Sequence, residues 1–137
     1  MPVKEHVTKQ EINLALYAAI NSDTTTEGEI IDTSKFNPGV YFTMAALIYS
    51  TGNFTLKLEH GDDDALADAE DVPDNMLVYG ILPVLSAATA AGGTLAREGI
   101  FSTKRYVRAS IVSAGTADGT ILVCCVKEAE AIPTDQV

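Results

Sequence analysis

Tryptophan is absent, histidine and cysteine occur twice each, and nine Lys and Arg stand against nineteen Asp and Glu. Each shortage closes off a class of function. Proteins hold phosphate backbones chiefly through Lys and Arg that release counterions, so a formal charge of −10 speaks against nucleic-acid binding. Anionic membrane surfaces are disfavoured for the same reason. Apolar runs such as Met44 to Ile48 and Ile121 to Val126 are too short to cross a bilayer, so a soluble protein is expected. The opening residues Met1 to His6 lack the basic, apolar, small-residue order of a secretory leader, and none is expected. Cys124 and Cys125 are neighbours; on an extended strand they point to opposite faces, where a mutual bridge would be strained. They read as free thiols acting as small hydrophobes, in keeping with assembly in a reducing cytoplasm. Without Trp a sugar platform lacks its usual aromatic surface, which leaves a carbohydrate-binding β-sandwich as an alternative class only.

Catalytic chemistry finds no coherent set. The histidines are His6 and His60, and His60 beside Asp62 has no Gly-x-Ser-x-Gly or comparable frame to supply a nucleophile. Gly92-Gly93 and Gly115 to Gly119 lack both the P-loop lysine and the dinucleotide spacing. The acidic stretch Gly61 to Asp71 invites a calcium reading, with Asp62, Asp64 and Asp68 as its ligands, because hard cations take carboxylate oxygens. The EF-hand pattern fails where Leu66 and Ala67 stand, and the stretch reads as a solvated loop. No enzyme, cofactor or metal is expected.

Strand patterns dominate what is present. Phe54, Leu56 and Leu58 alternate with Thr55, Lys57 and Glu59, and Val107, Ala109 and Ile111 alternate with Lys104, Tyr106, Arg108 and Ser110. Val40 to Ser50 is rich in β-branched and aromatic residues, and Thr120 to Val126 is apolar on both faces, which predicts a central position. Glu11 to Ile20 leans towards strand, and Glu27 to Asp32 is a short one. Thr51-Gly52-Asn53 predicts a hairpin turn between the strands on either side of it, and Ser113 to Gly119 predicts another turn. Met76 to Leu85, broken by Gly80 and Pro83, belongs at an edge or a bend. Short strands at intervals of about ten residues predict an all-β domain, a β-sandwich or jelly roll, with flexible N- and C-terminal arms. The expected division is an arm over 1–10, the domain over 11–128 and a tail over 129–137.

Five of the nine basic residues, Arg97, Lys104, Arg105, Arg108 and Lys127, fall in the last third, while acid concentrates mid-chain. A strand presenting Lys104, Tyr106 and Arg108 suits an acidic partner surface, since Arg and Tyr are favoured interface anchors. The competing use is pairing with the chain's own Asp62 to Asp74 loop.

The segments Ile20 to Thr33 (INSDTTTEGEIIDT), Leu58 to Asp64 (LEHGDDD) and Lys104 to Ser113 (KRYVRASIVS) resemble, in order and spacing, small structural proteins of tailed bacteriophages; the likeness spans roughly residues 12 to 126. It departs at Lys127-Glu128-Ala129-Glu130, where such proteins close the last strand with a Gly-His-Pro type of turn. The resemblance implies a virion protein on the capsid surface, assembled in the host cytoplasm: a decoration or cement protein bound to the major capsid protein as a homo-oligomer, dimer or trimer. A tail or connector component is the nearer alternative. The resemblance carries over no catalytic residues, and the shared positions Asp32, Gly61, Tyr106 and Arg108 serve as framework, interface or both.

Overall fold

Two very long strands carry most of the architecture. In the computed structural model, residues 8–33, 39–87, 95–101 and 103–130 are described. The strands are β1 (Thr8–Ile20), β2 (Thr25–Asp32), β3 (Gly39–Gly61), β4 (Glu70–Asp71), β5 (Val84–Leu85), β6 (Ala96–Ile100) and β7 (Tyr106–Glu130), and a 3-10 turn spans Asp74–Met76. All belong to one antiparallel sheet in which β7 pairs with β1, β2 and β3, while β3 also pairs with β4, β5 and β6.

That sheet folds over on itself. The first half of β3 pairs with the second half of β7 from Gly39↔Glu128 to Thr51↔Asp118, flanked by β1 on the β7 side and β6 on the β3 side. The second half of β3 pairs with the first half of β7 from Asn53↔Ala114 to Gly61↔Tyr106, flanked by β2 and by β5 and β4. The two halves are the layers of an all-β sandwich. Their inward residues, Phe42, Met44, Ile121, Val123 and Cys125 from one and Phe54, Leu56, Leu58, Val107 and Ile111 from the other, form one buried cluster. Burying such side chains contributes about 1.5–3 kcal/mol each, which is the main term holding the layers together.

The fold line corrects two readings of the sequence. Thr51-Gly52-Asn53 is not a hairpin turn, and Ser113 to Gly119 does not separate two strands; both lie inside continuous strands of 23 and 25 residues. Registers slip at Ala46/Ile48, Tyr49/Thr51 and Thr51/Asn53, so β3 and β7 bend together there, as paired bulges allow. Gly52 takes φ +92°, a conformation that costs an L side chain dearly, and Gly115 and Thr116 lie opposite at +77° and +59°. The β1–β2 turn clamps the bend: Asp23 accepts from the Thr116 and Ala117 N–H groups at 3.3 and 2.9 Å. The Ser113 hydroxyl accepts from the Thr24 N–H at 3.0 Å and lies 2.8 and 2.9 Å from the carbonyls of Ser22 and Thr24, either of which takes its proton.

β1 and β2 are the edges of the two layers on one side, and their bulges meet: Gly28 sits against the carbonyls of Ala15 and Ala109, where a Cβ has no room. The central position expected for Thr120 to Val126 is observed, between β1 and β3. β1 begins at Thr8 and β7 runs to Glu130, so paired strand extends into both segments read as arms. Residues 1–7 and 131–137, the remainder of those arms, lie outside the described residues. Among the described residues no helix is long and apolar enough to cross a membrane.

Candidate protein-docking face

The outer faces of the two layers differ in kind. On the layer built around the first half of β7, the outward side carries Lys57, Glu59 and Arg108, with Glu27 and Asp32 from β2 beside them. Arg108 donates to Glu27 at 3.3 Å and to Glu59 at 3.2 Å, and the Arg108 and Glu59 side chains are only 14% and 12% exposed. Lys104 pairs with Asp62 of the acidic loop at 3.3 Å. Tyr106 is half-buried, with the Arg105 guanidinium 5.1 Å above its ring. Arg105 itself clasps Asp32 through two nitrogens at 3.1 and 2.9 Å, and that hydrogen-bonded carboxylate holds the guanidinium yet more firmly charged. Tyr106 and Arg108 thus lie at alternate positions of β7 and Lys104 in the bend before it, and Lys104 and Arg108 are paired with the chain's own carboxylates.

The acidic loop is likewise occupied with itself. Asp68 accepts from the Asp62 and Asp63 N–H groups at 2.9 and 3.1 Å, which holds its carboxyl below the ordinary value. Asp63 accepts from Ala65 and Ala67 at 2.9 and 3.0 Å, securing the turn in which Leu66 adopts φ +54° and buries its side chain. Asp62 serves Lys104. His60 is buried at the end of the core, 3.7 Å from Glu70, and loss of hydration lowers its pKa despite that carboxylate.

The other outer face is apolar. Register places Ile12, Leu14 and Tyr17 of β1 opposite Val126, Cys124 and Leu122 of β7, and these in turn opposite Tyr41, Thr43 and Ala45 of β3. Leu47 and Ile48 continue the surface at the β3 bulge. Ile12, Leu14 and Tyr17 are 68%, 56% and 61% exposed. None of these outward positions bears a charge, in a chain that is 20% charged. At the β6 border the Arg97 guanidinium lies 5.6 Å over the Tyr41 ring and 6.0 Å from that of Tyr79, and donates to the Tyr79 hydroxyl at 2.8 Å. Aromatic rings and arginine around an apolar centre are the composition of a protein interface. At the β1 border a half-open groove of about 300 Å³ runs between Leu14 to Ala18 and Thr26 to Glu29.

β1 is inverted relative to what an isolated domain favours. Asn13 points inward, its Oδ1 without a hydrogen-bond partner among the described residues, while Ile12 and Leu14 point out. A bulge at Ala15 then returns Leu16 and Ile20 to the core. An unpaired amide oxygen inside and two aliphatic side chains outside both raise the free energy of the lone chain. Isolated exposed aliphatics need no explanation, whereas contiguous apolar patches are the kind of surface that protein contacts use. The sequence reading did not single out this face; its signal was the apolar content of both sides of Thr120 to Val126.

Beneath the border, Glu98 is fully buried. Its Oε1 accepts from the Tyr79 and Gly99 N–H groups at 2.8 and 2.9 Å, and Oε2 has no partner among the described residues. It ties the segment bearing Tyr79 to β6, with the Val78 N–H donating to Gly99 at 2.8 Å alongside.

By architecture this is an all-β sandwich with one ionic and one apolar outer face. No family model matches the chain, and no curated protein matches it in sequence. Among solved structures its fold is similar to that of the SPBc2 prophage-derived protein YomS, with a TM-score of 0.58 and 12% identity, covering 93% of this chain and 100% of that one. At that identity the likeness is one of fold.

Proposed function

We propose that this chain is a phage virion structural protein that binds the outside of a capsid shell and stabilises it. The apolar face carries the reading of a protein that works by contact with other proteins: its central positions, from Ile12 to Tyr17, Leu122 to Val126 and Tyr41 to Ala45, bear no charge. The motif resemblance to tailed-phage structural proteins and the fold shared with a prophage-derived protein support the phage context. Two properties suit the role. The folded sheet is a rigid scaffold whose layers cannot slide apart, because β3 and β7 run through both. The charge of −10 keeps the protein soluble and away from packaged nucleic acid. Stabilisation then comes from number, since many copies on a symmetric shell convert modest contacts into a durable clamp. No catalytic step belongs to this reading.

Adding the purified protein to capsids that lack it tests the proposal. The expected result is saturable binding at fixed symmetry positions, seen as new density by cryo-electron microscopy, and a higher temperature of shell rupture. Density on the tail and none on the shell would overturn it and favour a tail component.

A further inference from the structure

We propose that the apolar outer face is covered by a second copy of the same chain, the two copies packing sheet on sheet about a two-fold axis. The inference rests on reading that face as a docking surface and adds the identity of its occupant.

Electrostatics chooses the occupant. Two copies carrying −10 each repel everywhere that carboxylates approach, so the one surface on which they can meet without penalty is a surface with no charge. The outward positions between Ile12 and Tyr17 of β1, Leu122 and Val126 of β7, and Tyr41 and Ala45 of β3 provide it. A partner recognised through its own basic groups would instead require carboxylates, and none stands at those positions. Apolar surface is self-complementary, which is the requirement of an isologous two-fold contact.

Area agrees. Four adjacent strands at about 4.8 Å spacing and seven residues at about 3.3 Å each make a plate roughly 20 Å by 23 Å. Side-chain relief raises the accessible surface above the flat footprint, and two such plates bury on the order of 1,000 Å², the lower bound for a specific interface. Flat sheet faces also pack well on one another at about 10 Å separation. With its own face sealed, each pair presents two ionic layers outward, doubling any contact they make with a shell.

Leu14 and Cys124 are cross-strand neighbours near the middle of the plate, and Cys125 points into the core, which gives the test a built-in probe. Sedimentation equilibrium of the full chain over a range of micromolar concentrations is expected to give twice the 14.5 kDa chain mass, with maleimide labelling of Cys124 slowed at least tenfold relative to Leu14→Glu. Leu14→Glu, at an exposed position, is expected to be monomeric with unchanged circular dichroism. Ile30→Glu, on the ionic layer, should remain dimeric. A monomeric wild type, or a dimer unaffected by Leu14→Glu together with Tyr17→Lys, would overturn the proposal. Either result leaves the shell-binding reading to the add-back experiment: a monomer that still binds capsids sinks the dimer alone, and a dimer that ignores capsids sinks the shell role alone.

Discussion

Replacing Gly52 by alanine should destabilise the protein far more than the same change at Gly115, although both have positive φ and both lie on the fold line. At Gly52 an added Cβ falls 2.6 Å from the Ala117 Cα and 2.7 Å from the Ala114 carbonyl, both backbone atoms that cannot swing aside. At Gly115 the nearest atoms are 3.6 Å away or more. Each substitution carries the left-handed penalty of about 1–2 kcal/mol. Gly52→Ala adds an overpacking cost of about 1–3 kcal/mol, because β3 must move away from β7 at the point where the two strands bend together. Chemical denaturation at one fixed protein concentration, followed by circular dichroism, reads the difference. With a urea slope of about 2 kcal/mol/M, an extra 2 kcal/mol lowers the midpoint by about 1 M more in Gly52→Ala than in Gly115→Ala. Equal midpoints would show that the bend tolerates a separation of the strands at Gly52, and the account of the fold line would fail.

Two further outcomes follow from the charged groups. His60 is kept neutral by burial against the competing pull of Glu70, Asp62 and Asp68, with Lys104 acting in the same direction as burial. Its folded pKa lies below the unfolded value near 6.5, so the unfolded chain binds the extra proton in that window. Stability is therefore fully present above about pH 6.5 and declines as pH falls towards the folded value; thermal midpoints from pH 8 to pH 5 should show this slope, and His60→Gln should flatten it. Arg108→Ala leaves the nearly buried Glu59 carboxylate without its donor and is expected to cost about 2–3 kcal/mol, between the figures for exposed and buried pairs. Lys104→Ala breaks a pair whose side chains are 35% and 63% exposed and should cost less than about 1 kcal/mol. Restoration of part of the loss in Arg108→Ala/Glu59→Ala would confirm the pairing, and no restoration would refute it.

The alternation of Phe54 to Glu59 and of Tyr106 to Ser110 was legible because one side of each is core and the other is ionic, so period two is written in polarity. The bends were not legible. Gly52 and Gly115 look alike whether a strand ends or turns a corner, and only the partner strand's matching bulge distinguishes the cases. β1 was harder still. Ile12-Asn13-Leu14 has the alternation of an ordinary strand, and pattern reading places the aliphatics inside; the structure places them outside, because alternation alone does not say which side of the strand meets the core. The same ambiguity hid the docking face and left the Lys104, Tyr106 and Arg108 row as the conspicuous candidate. That row's neighbours in space, Glu27 and Glu59, are separated from Arg108 by 81 and 49 positions, beyond any local pattern.

The place of β7 in the sheet sets the order in which the protein comes into being. Every described strand precedes β7 in the chain, yet β7 stands between β1 and β3 in one layer and between β2 and β3 in the other. On the ribosome, β1, β2 and β3 emerge with a ladder partner still unmade, while β4, β5 and β6 find theirs in β3, and the interior stays open until β7 arrives. Synthesis at about 5–20 residues per second holds the nascent chain in that state for several seconds. Closure of the sandwich thus waits for β7, and a chain cut short within β7 lacks the strand to which β1 and β2 pair.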